Sequence, residues 1–243
     1  METAIWLTEV APTDTAGKKF LEHLGRANHN ANPELSRIAL KLATGAGKTT
    51  VMAMIIAWQT INAVRYPNSK KFTRGFLVVS PGLTIKDRLS VLQPNDPYSY
   101  FKGREILPAD MLGEMDRAKI VITNYHAFKL RERMELSKGG RSLLQGHGEA
   151  LNTLETEGQM LQRVMPDLMG LKNILVLNDE AHHCYREKPR DSDEDDFESE
   201  DEALKGDARK EAEKNNEAAR PWISGLERIG SHGRYLGSLE LPV

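Results

Sequence analysis

The chain contains one cysteine, Cys184, in 243 residues. A single cysteine excludes an internal disulfide framework and fits a reducing compartment. Long hydrophobic runs are missing too. The best candidate, Val51 to Ile61, is interrupted by Trp58, Gln59 and Thr60, well short of the roughly 18–20 apolar residues that cross a bilayer. The start, METAIWLTEVAPTD, carries acids where a secretory signal has a basic region. No C-x-x-C or H-x-x-x-H spacing completes a zinc site around His182, His183 and Cys184, and adjacent residues on a helix or strand point apart. Internal repeats are absent. These absences predict a cytoplasmic protein with no membrane partner.

Hydrophobic residues make up 40% of the sequence, enough to bury a core. The net charge of −2 hides an asymmetry: Asp191 to Glu202, DSDEDDFESEDE, holds nine acids and no base, and the rest of the chain sums to +7. A mildly basic body is compatible with nucleic acid, and equally with an ordinary solvated surface.

Four apolar segments have strand length: Ile38 to Leu42, Phe76 to Val79, Ile120 to Thr123 and Ile174 to Leu177. Three are continuous hydrophobic runs, the pattern of strands buried on both faces of a parallel sheet. Helical patterns lie between them. KTTVMAMIIAWQTIN is apolar nearly all round and should pack deep. Thr84 to Leu92 follows a Pro-Gly break, and Asn152 to Leu168 carries Leu154, Leu161, Val164, Met165 and Leu168 on one stripe. The alternation predicts an α/β fold with a mostly parallel sheet in a three-layer α/β/α sandwich. Glu132 to Gly148 and Lys188 to Ala219 are polar enough to be excursions or linkers.

LATGAGKTT, Leu42 to Thr50, joins the first strand to the first deep helix. Gly47-Lys48-Thr49 fits the end of the G-x-x-x-x-G-K-[ST] phosphate loop, but Leu42 stands at its first glycine. The physical requirements survive that departure. Gly45 and Gly47 permit positive φ, and the amides of residues 45 to 50, including those of Ala46 and Thr50, can converge on phosphate at a helix N-terminus. Lys48 would reach the β- and γ-phosphates of ATP, and the Thr49 hydroxyl would hold Mg²⁺. The alternative is a glycine-rich turn with an exposed lysine. Further on, ILVLNDEAHHC places Asp179 and Glu180 directly after an apolar strand. Open α/β sheets bind ligands at that edge. Asp179 would hold Mg²⁺ through water, and Glu180 would orient or deprotonate the attacking water. An Asp-Glu pair that merely ends a strand and caps a helix is the competing reading.

ATGAGKT (Ala43 to Thr49, with Thr44 inside it) and DEAH (Asp179 to His182) together resemble motifs I and II of superfamily 2 helicases and translocases. The sequence is most similar to the motor subunit of type III restriction enzymes, whose loop often reads Met-Ala-Thr-Gly-x-Gly-Lys-Thr, so an apolar residue at Leu42 is expected. FLVVSPGLTIKDRL and KIVITNYHAFKLR resemble motif Ia and a later DNA-contacting motif. The resemblance implies a RecA-like P-loop NTPase domain using ATP and Mg²⁺, with His182 as a coupler near the γ-phosphate. It implies DNA contacts at Ser80, Pro81, Gly82, Thr123, Asn124 and Tyr125; without the other motifs these stretches read equally well as strand ends with turn residues. It divides the chain into a motor domain at 1–188, a charged insert or linker at 189–220 and an atypical C-terminal tail at 221–243.

The tail contains no Ser-Ala-Thr, and neither an adenine-reading glutamine segment before Met1 nor a second RecA-like domain is present in the sequence. The expectation is therefore the first motor domain of a larger enzyme, cut at both ends. Its second motor domain and its nuclease and modification subunits would be encoded elsewhere, and alone it would bind nucleotide weakly. A small-molecule kinase or a catalytically incompetent binding fragment are the alternatives from other classes.

Overall fold

The computed structural model describes residues 1–31, 35, 37–43, 45–81, 87–133, 153–179, 225–227, 229 and 235–241. The chain opens with α1 (Glu2–Ile5), continues through a π-helical turn at Trp6–Val10, and enters α2 (Thr15–Ala31). Asn28 of α2 holds the approach to the first strand. Its Nδ2 donates to the Leu35 carbonyl at 2.7 Å, and its Oδ1 accepts from the Arg37 N–H at 3.0 Å. One amide side chain therefore fixes both ends of the turn into β1 (Arg37–Ala39).

From β1 the chain passes through the glycine-containing loop into α3 (Lys48–Arg65). Met52, Ala53, Ile55, Ile56, Ala57, Gln59, Thr60 and Ile61 are buried, as its apolar sequence requires. Buried Gln59 accepts the Thr73 N–H at 3.1 Å. The Thr73 hydroxyl donates to the Asn173 carbonyl at 2.7 Å and accepts from the Gly75 N–H at 3.0 Å. This small polar network aligns the starts of two neighbouring strands, and it satisfies polar groups that burial would otherwise penalise. One of those strands is β2 (Gly75–Ser80), buried along its whole length. Then come α4 (Tyr100–Gly103), α5 (Leu112–Met115) and β3 (Lys119–Asn124). The two-residue strands β4 (Glu132–Arg133) and β5 (Thr153–Leu154) pair antiparallel outside the main sheet. They are followed by α6 (Glu157–Val164), β6 (Ile174–Asp179) and β7 (Tyr235–Leu241).

The main sheet runs β1-β7-β6-β2-β3, with every neighbouring pair parallel. Alternate residues of β2 and β6 feed two cores. Phe76, Val78, Leu175 and Leu177 meet α3, Phe101 and Met115 on one face. Leu77, Val79, Ile174 and Val176 meet Met160, Leu161, Phe128, Leu226 and Ile229 on the other. Helical segments on both faces make the predicted three-layer α/β/α arrangement.

Four expectations change. The helix predicted over Asn152 to Leu168 is confined to Glu157–Val164, because Thr156 and Gln159 form a capping box at its start and Pro166 begins a separate 3₁₀ turn. Leu154 accordingly lies on a strand and is 64% exposed, whereas Leu161, Val164, Met165 and Leu168 are buried. The first strand is Arg37–Ala39, shorter than Ile38 to Leu42. Most consequentially, the tail set apart as atypical supplies β7, which lies between β1 and β6. Of the predicted helix at Thr84 to Leu92, residues 89–92 form a 3₁₀ turn. Residues 84–86, most of the 132–148 excursion and the acidic segment lie outside the described residues.

Candidate nucleotide-binding site

Sheet register brings the motif residues to one edge. Ala39 pairs with Glu240, Glu240 with Asn178, Asn178 with Val79, and Val79 with Thr123. One row farther along, Leu241, Asp179, Ser80 and Asn124 form the carboxyl ends of their strands. The loop leaving β1 starts at that same edge. β7 separates β1 from β6, so the two strands that lead to the loop and to Asp179 run two strand spacings apart, about 10 Å. Lys48 and Asp179, distant in sequence, therefore belong to elements that end together.

Gly45 has φ +77° and Gly47 has φ +82°, the two positive-φ glycines among the described residues. At Gly45 a Cβ would meet nothing within 4 Å, so backbone conformation alone requires glycine there and the space above it is open. At Gly47 a Cβ would lie 3.7 Å from the Thr50 Oγ1. Gly47 is also the N-cap of α3 and offers no side chain to its amides. The positive end of an 18-residue helix, with the Thr49 and Thr50 amides in its first turn, is thus left for an anion. The Ala46 N–H is an exception to the expected convergence: it donates to the Ala43 carbonyl at 3.1 Å and closes the loop on itself. Thr44 lies outside the described residues.

Thr49 is half-buried in the first turn of α3, and Asp179 is half-buried at the end of β6. Among the described residues no group of three or more His, Cys, Asp or Glu could enclose a metal. A divalent ion here would have to take most of its ligands from phosphate oxygens and water, with one or two side chains from the protein. That is the usual arrangement for nucleotide-bound Mg²⁺, and the donor set of Thr49 and Asp179 fits it. Glu180 and His182 lie outside the described residues.

The residues expected to touch DNA have other engagements. Ser80 is fully buried, since β2 is covered on both faces, and its side chain is not on the surface. The Asn124 Oδ1 accepts the Ala127 N–H at 3.2 Å, capping the 3₁₀ turn Tyr125–Phe128. The Thr123 hydroxyl sits 3.5 Å from the Asn124 carbonyl. Pro81 is half-buried, and Gly82 lies outside the described residues. Burial raises the Tyr125 phenol above its ordinary pKa. The Ser80 side chain is thus enclosed, and the Asn124 oxygen serves a cap while the residue itself is half-buried.

One residue that the motifs do not include stands at the loop. Arg104 Nη1 donates to the Thr50 Oγ1 at 3.1 Å, and Nη2 donates to the Tyr100 hydroxyl at 3.3 Å. Its Cζ lies 4.1 Å from the centroid of the Tyr100 ring. The signal in the sequence is slight: Tyr100 and Arg104 are four residues apart across a short helix, the spacing of a stacked pair.

The sequence profile of the family described as "Type III restriction enzyme, res subunit" matches residues 14–205, well over half of the chain. No curated protein and no solved structure matched it. The family's domain is a helicase-type ATPase motor of superfamily 2, in keeping with the parallel sheet, the glycine loop before α3 and the acidic end of β6. The chain belongs to the type III restriction enzyme res-subunit family and has its RecA-like α/β fold.

Proposed function

We propose that the chain binds Mg-ATP across the carboxyl end of β7 and serves as the first motor domain of a DNA translocase of restriction type. The observation that carries this reading is the pairing of two left-handed glycines at an uncapped helix start with Asp179 one intervening strand away. Lys48 holds phosphate oxygens, and Thr49 and Asp179 hold the Mg²⁺ that offsets their charge. Glu180 positions the attacking water and His182 couples the site to its surroundings. Both assignments come from the motif they share with Asp179.

Hydrolysis in this reading needs a second RecA-like domain to close over the nucleotide, since an arginine from such a partner is worth on the order of 10³–10⁵ in rate in related phosphoryl transfer. DNA follows the same edge past residues 80–81 and 123–124, with Gly82 assigned by its motif alone. With Ser80 buried, contacts there fall to backbone groups and neighbours, which suits a motor that grips phosphates without reading bases. Nuclease and modification subunits complete the assembly, in a cytoplasmic setting.

Titration of Mg-ATP into the wild-type chain, Lys48→Ala and Glu180→Gln tests the proposal. The lysine change abolishes binding, and the glutamine change preserves it while removing turnover in a complemented complex. Equal affinity of wild type and Lys48→Ala overturns it. Repeating the titration with DNA separates a motor from a kinase, because only the motor couples the two ligands.

A further inference from the structure

Arg104 is placed where electrostatics disfavours a cation. The first turn of α3 carries the positive end of the helix dipole, and Lys48 is already there. Yet the Arg104 guanidinium touches Thr50, the third residue of that helix, and no carboxylate among the described residues is paired with it. Of its five N–H donors, the Thr50 and Tyr100 oxygens account for two. The guanidinium is kept in place from behind: its Cζ lies over the Tyr100 ring, and the residue after that tyrosine, Phe101, is buried in the core cluster that includes α3. The Thr50 hydroxyl in turn lies close to Gly47, so the contact point abuts the left-handed loop itself. A second positive group, pre-positioned with donors to spare beside an anion cradle, is what a polyanion would compensate.

We propose that Arg104 is a phosphate-contacting residue of this site, oriented by the Tyr100 ring and by Thr50, and that it donates to the polyphosphate chain of a bound nucleotide. The inference rests on the nucleotide reading above and adds a residue to it. Tyr100 acts on the ligand only through Arg104 and is a positioning residue. The interaction is with phosphate, not with the base, so inorganic tripolyphosphate feels it as fully as ATP.

The test uses the full chain, titrated with Mg-ATP and with Mg-tripolyphosphate at two ionic strengths. Arg104→Ala weakens both ligands by about ten- to a hundredfold, the value of hydrogen bonds to charged groups, and flattens the salt dependence of binding. Arg104→Lys restores part of the loss because it keeps charge without the planar fork. Tyr100→Leu, which leaves the cation but removes its platform, weakens both ligands less than Arg104→Ala. Should Arg104→Ala fold poorly, the lysine and Tyr100 variants carry the test. Undiminished affinity of Arg104→Ala overturns the proposal alone, as does a loss confined to ATP with tripolyphosphate unchanged. Failure of the wild-type chain to bind either ligand removes the nucleotide reading and this proposal with it.

Discussion

Arg104 and Arg163 make opposite use of the same side chain. The Arg163 Nε and Nη2 donate to the two carboxylate oxygens of Glu155 at 2.9 and 2.8 Å, and Nη1 and Nη2 reach the Ala127 and Lys129 carbonyls at 3.0 and 3.2 Å. Four of its five N–H donors are engaged, and they tie α6 and the end of β5 to the turn that follows β3. Glu155 is buried with its side chain 4% exposed, and it also accepts the Arg131 N–H at 3.2 Å. Arg104 is exposed, meets one hydroxyl, one phenol and one ring face, and stands beside the phosphate loop. An arginine with four donors engaged inside the protein holds the fold. An arginine with donors in reserve at the mouth of a cradle is kept for something else.

The largest effect that separates the two is on stability. Arg163→Ala leaves a buried carboxylate with the Arg131 amide as its one hydrogen-bond donor among the described residues and only the more distant Arg131 charge to offset it. Breaking such a pair costs about 3–5 kcal/mol, and the 24% exposure of Arg163 favours the lower end. Denaturant unfolding should show this loss while nucleotide affinity of the folded fraction stays at the wild-type value. Arg104→Ala should do the reverse, with stability within about 0.5 kcal/mol of wild type, as for exposed sites without buried partners. If both substitutions destabilise alike, the division between fold and ligand fails.

Much of this architecture can be read from the chain, for physical reasons that also explain the omissions. FLVV and ILVL are apolar runs because both faces of their strands are buried, and IVIT stays apolar although its edge strand alternates between buried and half-buried positions. YLGSLEL in β7 mixes glycine, serine and glutamate into its run, so residue type alone does not mark a strand between two others. Gly45 and Gly47 were legible because positive φ strongly selects glycine. Asp179 was legible because it follows an apolar strand. That the Ser80 side chain is buried and the half-buried Asn124 caps a turn could not be read beforehand, because residue type at a strand end does not distinguish a burial site from a contact site. The contact of Arg104 with Thr50 joins residues 54 apart in sequence, and the spacing of Arg104 from Tyr100 announces only the stacked pair.

Smaller than the buried arginine, but still within reach of an unfolding measurement, is the strain at the loop. Gly47→Ala forces a Cβ onto a backbone at φ +82°, which costs roughly 1–2 kcal/mol for an L-residue. It should also weaken Mg-ATP binding, since relief of the strain moves the start of α3. An alanine tolerated there without loss of stability would show that the left-handed turn is not required.

The Arg163 pair can also be weakened by pH. The Arg163 guanidinium, aided by the Arg131 amide, lowers the Glu155 carboxyl from its ordinary 4.5 to about 2. A depressed folded-state value means the stabilisation is complete above about 4.5 and fades as pH falls toward 2. The stability gap between wild type and Glu155→Gln should therefore be constant near neutrality and narrow across that acid window. A gap that widens on acidification contradicts the assigned cause.

The smallest effect belongs to a third arginine, and it shows what burial contributes to the first comparison. Arg65 donates from Nε to both oxygens of Glu114 at 3.2 Å and from Nη2 to one of them at 2.8 Å, a fork as complete as that between Arg163 and Glu155. The hydrogen bond to Glu114 raises the guanidinium pKa. The side chains, however, are 45% and 25% exposed, so water and salt compete for the same groups and little net stabilisation survives. Arg65→Ala should lower the unfolding midpoint far less than Arg163→Ala, and added salt should erase the difference from wild type while leaving the Arg163 defect nearly intact. If the two substitutions prove equally costly, geometry decides the worth of an arginine here. If they diverge as expected, environment does, and the exposed position of Arg104 leaves its value to whatever anion arrives.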